Sequence, residues 1–185
     1  SSVDPSKYDA VLLVGGHGPM WDFVNNAELN GIVRAIYERD GIVSAVCHGP
    51  AGLLDVTLAD GTKLIAGRRV TGFTAEEEGA RDYDKIVPFE LEGALKKAGA
   101  KFEEAPAFES RVVVDGRLIT GQNPWSVWQL AEATVRALGG EPLPRLASAE
   151  ERTMQLLQTH QSQGLAAAQS QIERQLAEGP LQRNL

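Results

Sequence analysis

The 185-residue chain contains a single cysteine, so no internal disulfide can form. The stapled scaffold of small secreted proteins is thereby excluded, and a reducing cytoplasm is the expected setting. Basic residues are also scarce: 18 Lys and Arg stand dispersed among 25 acids, giving a net charge of -7. Phosphate contacts need clustered cations, so nucleic acid is excluded as a partner class and small molecules or proteins are expected instead. No apolar run approaches membrane-spanning length, and the opening SSVDPSKYDAVLLV has no basic segment followed by a long apolar one. Neither a membrane span nor a leader is expected. Disorder is excluded by ordinary values of 43% hydrophobic and 23% charged residues. The length suits one domain with an appendage rather than two domains.

What is present reads as an α/β pattern. Tyr8 to Val14 is a short Val- and Leu-rich run closed by Gly15 and Gly16, expected to be a strand buried on both faces of a parallel sheet. Asn26 is placed to cap a helix whose apolar positions Leu29, Ile32, Val33, Ile36 and Tyr37 recur at three- and four-residue steps. Ile42 to Val46 is a second buried strand, which completes a βαβ unit. A short helix is expected from Pro50 to Leu54, strands at Lys63 to Ala66 and Arg69 to Thr71, and a helix from Pro88 to Ala98 with Pro at its start. Two apolar runs around Asp115-Gly116 predict a hairpin over Ser110 to Thr120, and Pro124 to Leu138 a last helix. Two prolines in EPLPRL make residues 141–147 a linker between a domain at 1–140 and a tail at 148–185. Eight of the ten glutamines lie in that tail. A capping box at Ser148 to Glu151 opens one helix, or two broken at Gly164, with a stop at Gly179-Pro180.

The chemistry gathers on DGIVSAVCHGPAGLL, residues 40–54, where the only thiol stands at the turn between a buried strand and a helix. That turn lies at the carboxyl edge of a parallel sheet, where open α/β folds bind ligands, and it follows the logic of a nucleophile elbow with Cys47 in place of serine. Free amides at the following helix start are expected to lower the thiol pKa towards neutrality. Ala45, Gly49 and Ala51 leave room for a substrate to approach. A lone cysteine is more often a small core hydrophobe; the adjoining His48-Gly49-Pro50 turns the reading towards reactivity. Gly15-Gly16-His17-Gly18, at the end of the preceding strand, can aim backbone N–H groups at the same crevice as an oxyanion hole. One of Glu76, Glu77 and Glu78 can orient His48 as the third member of a Cys-His-acid set, although a run of acids is more often a solvated face. No HxxxH or CxxC spacing supports a metal site, and none is expected. His160, in the tail, reads as a solvent-facing residue.

AVCHGPA after a βαβ unit, preceded by GGHGPMWD and followed by VTGFTAEEE and LITGQNP, resembles the PfpI-type superfamily. That superfamily shares a flavodoxin-like sheet with class I glutamine amidotransferases, and the motifs are most similar to its glutathione-independent glyoxalase (glyoxalase III, D-lactate dehydratase) and chaperone branch. The resemblance runs from about Asp4 to Leu138. It implies Cys47 as nucleophile, His48 as its catalytic neighbour and Glu78 as the acid. Gly16, His17 and Gly49 are implied at the oxyanion and substrate site, and Asn123 in a loop near the pocket. A 2-oxoaldehyde substrate such as methylglyoxal, no cofactor and a homodimer are implied as well. Relatives begin with a further strand, helix and strand that carry a glutamate bonded to the cysteine, so the chain is expected to lack that segment. Trp125 departs from the small residue of relatives and is expected to narrow the pocket or serve an interface. A stress-response holdase, a redox sensor and a protein deglycase are the alternative uses of the same thiol. A glutaminase is excluded because no His-x-Glu pair follows Gly121.

Overall fold

The computed structural model describes residues 3–80 and 82–177 and divides after Pro142 into two compact units. The first is built on a four-stranded sheet with strands β1 (Ala10–Leu13), β2 (Ile42–Val46), β5 (Val112–Asp115) and β6 (Leu118–Gly121). Their order across the sheet is β1-β2-β6-β5, with β1, β2 and β6 parallel and β5 antiparallel to β6. Two short parallel strands, β3 (Arg69–Val70) and β4 (Lys101–Phe102), form a second sheet. Helices α1 (Pro19–Asp22), α2 (Ala27–Glu38), α3 (Ala75–Gly79), α4 (Leu91–Lys97) and α5 (Val127–Ala137) complete the unit. The fold is thus mixed α/β with a mostly parallel central sheet flanked by helices.

Local chemistry accounts for the elements that set the site. The Asn26 side chain accepts from Leu29 N–H at 3.0 Å and starts α2, whose Val33, Ile36 and Tyr37 are buried. β2 is buried along its whole length, as the central strand of a layered sheet must be. Val43 and Ala45 lie in the apolar core with Leu118 and Ile119 of β6, while Ser44 bonds Thr134 of α5 at 2.7 Å. Asp115-Gly116 turns the β5–β6 hairpin as its sequence predicts, with Gly116 at φ +60°.

Four expectations are corrected. β1 is shorter than Tyr8 to Val14 and is not buried on both faces: it pairs only with β2 among the described residues, leaving Leu12 47% and Val14 61% exposed. Lys63 to Ala66 is not a strand. Gly61 and Gly67, both at positive φ, bracket a turn that buries Leu64 and Ile65 side by side, with one isolated bridge from Thr57 to Lys63. The helix expected from Pro88 begins at Leu91, because the Glu90 carboxylate accepts from Gly93 N–H and caps it there. The Pro50 to Leu54 helix is a 3-10 turn over Gly49–Leu53.

The second unit consists of α6 (Ala149–Gln163) and α7 (Leu165–Ala177), packed on each other and separated by Gly164 at φ +86°. Its opening capping box is present, Ser148 Oγ accepting from Glu151 N–H and Glu151 accepting from Ser148 N–H. The stop expected at Gly179-Pro180 lies outside the described residues. No helix among the described residues is long and apolar enough to cross a membrane.

Candidate active site

Cys47 follows β2 with φ at +61°, a left-handed conformation that strains any side chain. Two hydrogen bonds hold it there. Its N–H donates to Gly121 O of β6 at 2.9 Å, and its carbonyl accepts from Phe73 N–H at 2.9 Å. The glycines around it are required by close approach. A Cβ on Gly15 would stand 2.6 Å from Cys47 Cβ, and one on Gly49 would stand 2.0 Å from the Leu13 carbonyl oxygen. The turn that presents the thiol is therefore set by backbone contacts on three sides.

From Sγ a line of polar contacts runs inward. Sγ lies 3.3 Å from His48 Nδ1, and His48 Nε2 lies 2.7 Å from Glu78 Oε2. A carboxylate only accepts, so Nε2 carries the hydrogen of the neutral ring and Nδ1 is left as the acceptor facing the thiol. The other Glu78 oxygen, Oε1, accepts from His17 Nε2 at 2.8 Å. The two imidazoles lie against each other with ring centres 4.2 Å apart, Phe73 flanks His48 at 4.6 Å, and Tyr83 meets His17 edge-on at 4.8 Å. His48 and Glu78 are buried, whereas His17 is half-buried at the wall of the cavity. That cavity, about 220 Å³, is lined by Gly16, His17, Cys47, His48, Phe73, Pro124 and Trp125.

One helical turn sorts the three acids. Thr74 caps α3, and successive residues point about 100° apart. Glu76 is exposed and Glu78 reaches the histidines. Glu77 turns the other way, accepting from Phe108 N–H at 2.8 Å, Asn123 Nδ2 at 2.8 Å and Gln122 Nε2 at 3.2 Å. This fully buried carboxylate braces the loop that carries Pro124 and Trp125, and Trp125 packs edge-on against Phe108 at 5.6 Å.

The structure thus brings Gly16, His17, Cys47, His48 and Glu78 together. It does not bring Asn123 or Gly49 to the cavity. The Asn123 amide is engaged by Glu77 and the Glu109 carbonyl, with its oxygen accepting from Ser126, and Gly49 is packed behind the turn against Leu13. Sequence reasoning gave no role to Phe73 or Tyr83 and held Glu77 only as one of three candidate acids for His48, not as the brace of the Pro124 loop. The N-cap at Thr74 was the available signal, since it fixes which way each following acid points.

The expected lowering of the Cys47 pKa is overturned. Burial pushes the thiol up to about 11, reinforced by the negative charges of Glu77 and Glu78, and the Gly16 and His48 N–H groups bonded to sulfur offset only part of this. A 3-10 segment over Gly49–Leu53 follows the cysteine, in place of the short helix whose first amides were expected to favour the thiolate. Burial also lowers the His48 pKa, against the opposing pull of Glu78, which keeps the ring neutral and able to accept a proton. Alkylation of Cys47 by iodoacetamide is accordingly expected to accelerate about tenfold per pH unit from pH 7 to pH 10. A plateau near pH 8 in stopped-time mass spectrometry would contradict a thiol raised by burial.

Residues 1–137 match the DJ-1/PfpI family. The chain belongs to it. The DJ-1/PfpI family fold is shared with the Rapid Encystment Protein 24 KDa of Francisella tularensis at 42% identity and a TM-score of 0.73, over 74% of this chain and 61% of that one. Glyoxalase III from Candida albicans is similar at 35% identity and a TM-score of 0.67, over 73% and 59%. By sequence, the chain is 37% identical to the glutathione-independent glyoxalase HSP31 of Saccharomyces cerevisiae over 74% of its own length. It spans 60% of that relative and 61% of Glyoxalase 3 of Candida albicans.

Proposed function

We propose that this chain carries the site of a glutathione-independent glyoxalase, which isomerises and hydrates a small 2-oxoaldehyde such as methylglyoxal to a 2-hydroxyacid. The observation that supports it most is the continuous Cys47–His48–Glu78 line opening on a cavity of about 220 Å³, with the Gly16 and His48 amides directed at sulfur. The names of the relatives point the same way.

The chemistry follows from these groups. As Sγ adds to the aldehyde carbon, its proton passes to His48 Nδ1 and the carbonyl electrons move to oxygen, where the Gly16 and His48 N–H groups receive the developing charge. The oxygen then takes the proton from His48, giving a neutral hemithioacetal and a free base. His48 next removes the proton from the former aldehyde carbon, forming an enediolate, and returns it to the adjacent carbon, while the hydroxyl proton of the first carbon passes to the oxygen of the second. The first carbon is thereby oxidised to a thioester and the second reduced to an alcohol, so no outside redox partner is consumed. Water cleaves the thioester, releasing the 2-hydroxyacid and the thiol. Glu78 holds the His48 ring in the tautomer that keeps Nδ1 free and stabilises the cation when it forms.

Methylglyoxal supplied to the chain without glutathione is expected to yield D-lactate, read by enantiospecific enzymatic assay. Consumption of methylglyoxal with no lactate, leaving only protein adducts by intact mass, would sink the proposal.

A further inference from the structure

The same cavity holds a second constellation, which shares His48 and Glu78 with the sulfur chemistry and adds His17, a residue that chemistry does not use. His17 Nε2, His48 Nε2 and a Glu78 carboxylate oxygen all lie within 4.8 Å of one another. They come from three separate elements: the loop after β1, the turn after β2, and α3. No local spacing announces this, because the partners are 30 and 61 positions apart. Both rings direct the same nitrogen at the two oxygens of one carboxylate, at 2.7 Å and 2.8 Å.

We propose that His17, His48 and Glu78 form a binding site for a divalent zinc-type ion, and that this ion and the base function of His48 are mutually exclusive. Two imidazoles and a carboxylate are a donor set that suits zinc with a coordination position left open. Zinc bonds of about 2.0–2.2 Å place ligand atoms roughly 3.2–3.5 Å apart, so small side-chain shifts convert the hydrogen-bonded triangle into a coordinating one. The buried Glu78 supplies the fixed point. His17, with its side chain 37% exposed, supplies the entry path from the cavity.

Coordination has a direct consequence at the thiol. A metal on His48 Nε2 displaces the ring hydrogen to Nδ1. The lone pair that accepts from Cys47 is then gone. Sγ is not part of the donor set, since it faces Nδ1 on the other edge of the ring. The inhibitory consequence rests on the glyoxalase reading above; the binding site does not.

The test is zinc titration of the full chain by calorimetry, alongside the His17→Gln and Cys47→Ser variants. One ion per chain is expected, weakened about 100-fold or more in His17→Gln, at least the loss typical of removing an outer-shell partner. Cys47→Ser is expected to keep the affinity of the parent. Should His17→Gln fail to fold, the absorption spectrum of the cobalt-loaded parent decides: bands of nitrogen and oxygen ligation are expected, and a thiolate charge-transfer band would overturn the assignment. Undiminished binding by a folded His17→Gln, or binding lost in Cys47→Ser, would overturn it equally. In the lactate assay, zinc is expected to suppress turnover with a midpoint that tracks the titration. Zinc-stimulated turnover would refute mutual exclusion, whereas binding as described by a chain that makes no lactate would leave the site standing and remove the glyoxalase reading.

Discussion

Cys47→Ser is expected to lower D-lactate formation by about 10⁴-fold or more, the scale of removing a nucleophile from a triad. The hydroxyl is a poorer nucleophile than the thiol at any pH the protein survives, and the surrounding cavity opposes its ionisation even more than that of sulfur. The Gly16 and His48 amides remain in the variant, so it should still bind an oxyanion-like ligand while forming no covalent intermediate. Steady-state lactate production, combined with intact-mass detection of the methylglyoxal adduct, separates these outcomes. A variant retaining a tenth of parent activity would show that chemistry proceeds without a sulfur adduct, and the role assigned to Cys47 would be wrong.

Gly49→Ala is expected to remove more than about 3 kcal/mol of stability or to prevent folding, the upper range for overpacking. The added methyl would sit 2.0 Å from the Leu13 carbonyl oxygen and 2.9 Å from its carbon, both backbone atoms that cannot rotate away. To make room, the end of β1 must separate from the turn after β2, and that turn carries Cys47 and His48. Gly31→Ala supplies the control. Gly31 lies on the exposed face of α2 with nothing within 4 Å of its added Cβ, so that change is expected to stabilise by roughly 0.5–1 kcal/mol. Urea midpoints of the two variants should fall on opposite sides of the parent. A Gly49→Ala midpoint equal to the parent would mean that the turn has slack the packing does not show.

Much of this architecture was legible because its signals are local. The Asn26 cap, the three- and four-residue apolar steps of α2, the Asp115-Gly116 hairpin and the Ser148 capping box each declare themselves within a few residues. So did the placing of Cys47 at a strand-to-helix turn. What sequence could not supply was set by burial and by partners far along the chain. The Val-rich composition of β1 reads the same whether one face or two are covered, and Leu12 and Val14 are exposed only because of where the strand lies in the sheet. The thiol pKa was misjudged for a related reason: the amides that lower it are local, while the desolvation and the Glu77 and Glu78 charges that raise it arrive from other parts of the fold. Glu77 and Glu78, adjacent in sequence, serve unrelated networks, and only the turn of α3 separates them.

The left-handed backbone at Cys47 bears on how the protein can evolve. At φ +61° a side chain such as that of cysteine is penalised by roughly 1–2 kcal/mol, a cost that glycine escapes. Selection for stability by itself would therefore favour glycine at this position. Since the bonds from Gly121 and Phe73 hold the backbone and not the side chain, that exchange would leave the turn intact. A lineage with no need of the thiol therefore has an easy descent, by one exchange at this position, to a sturdier and inert protein.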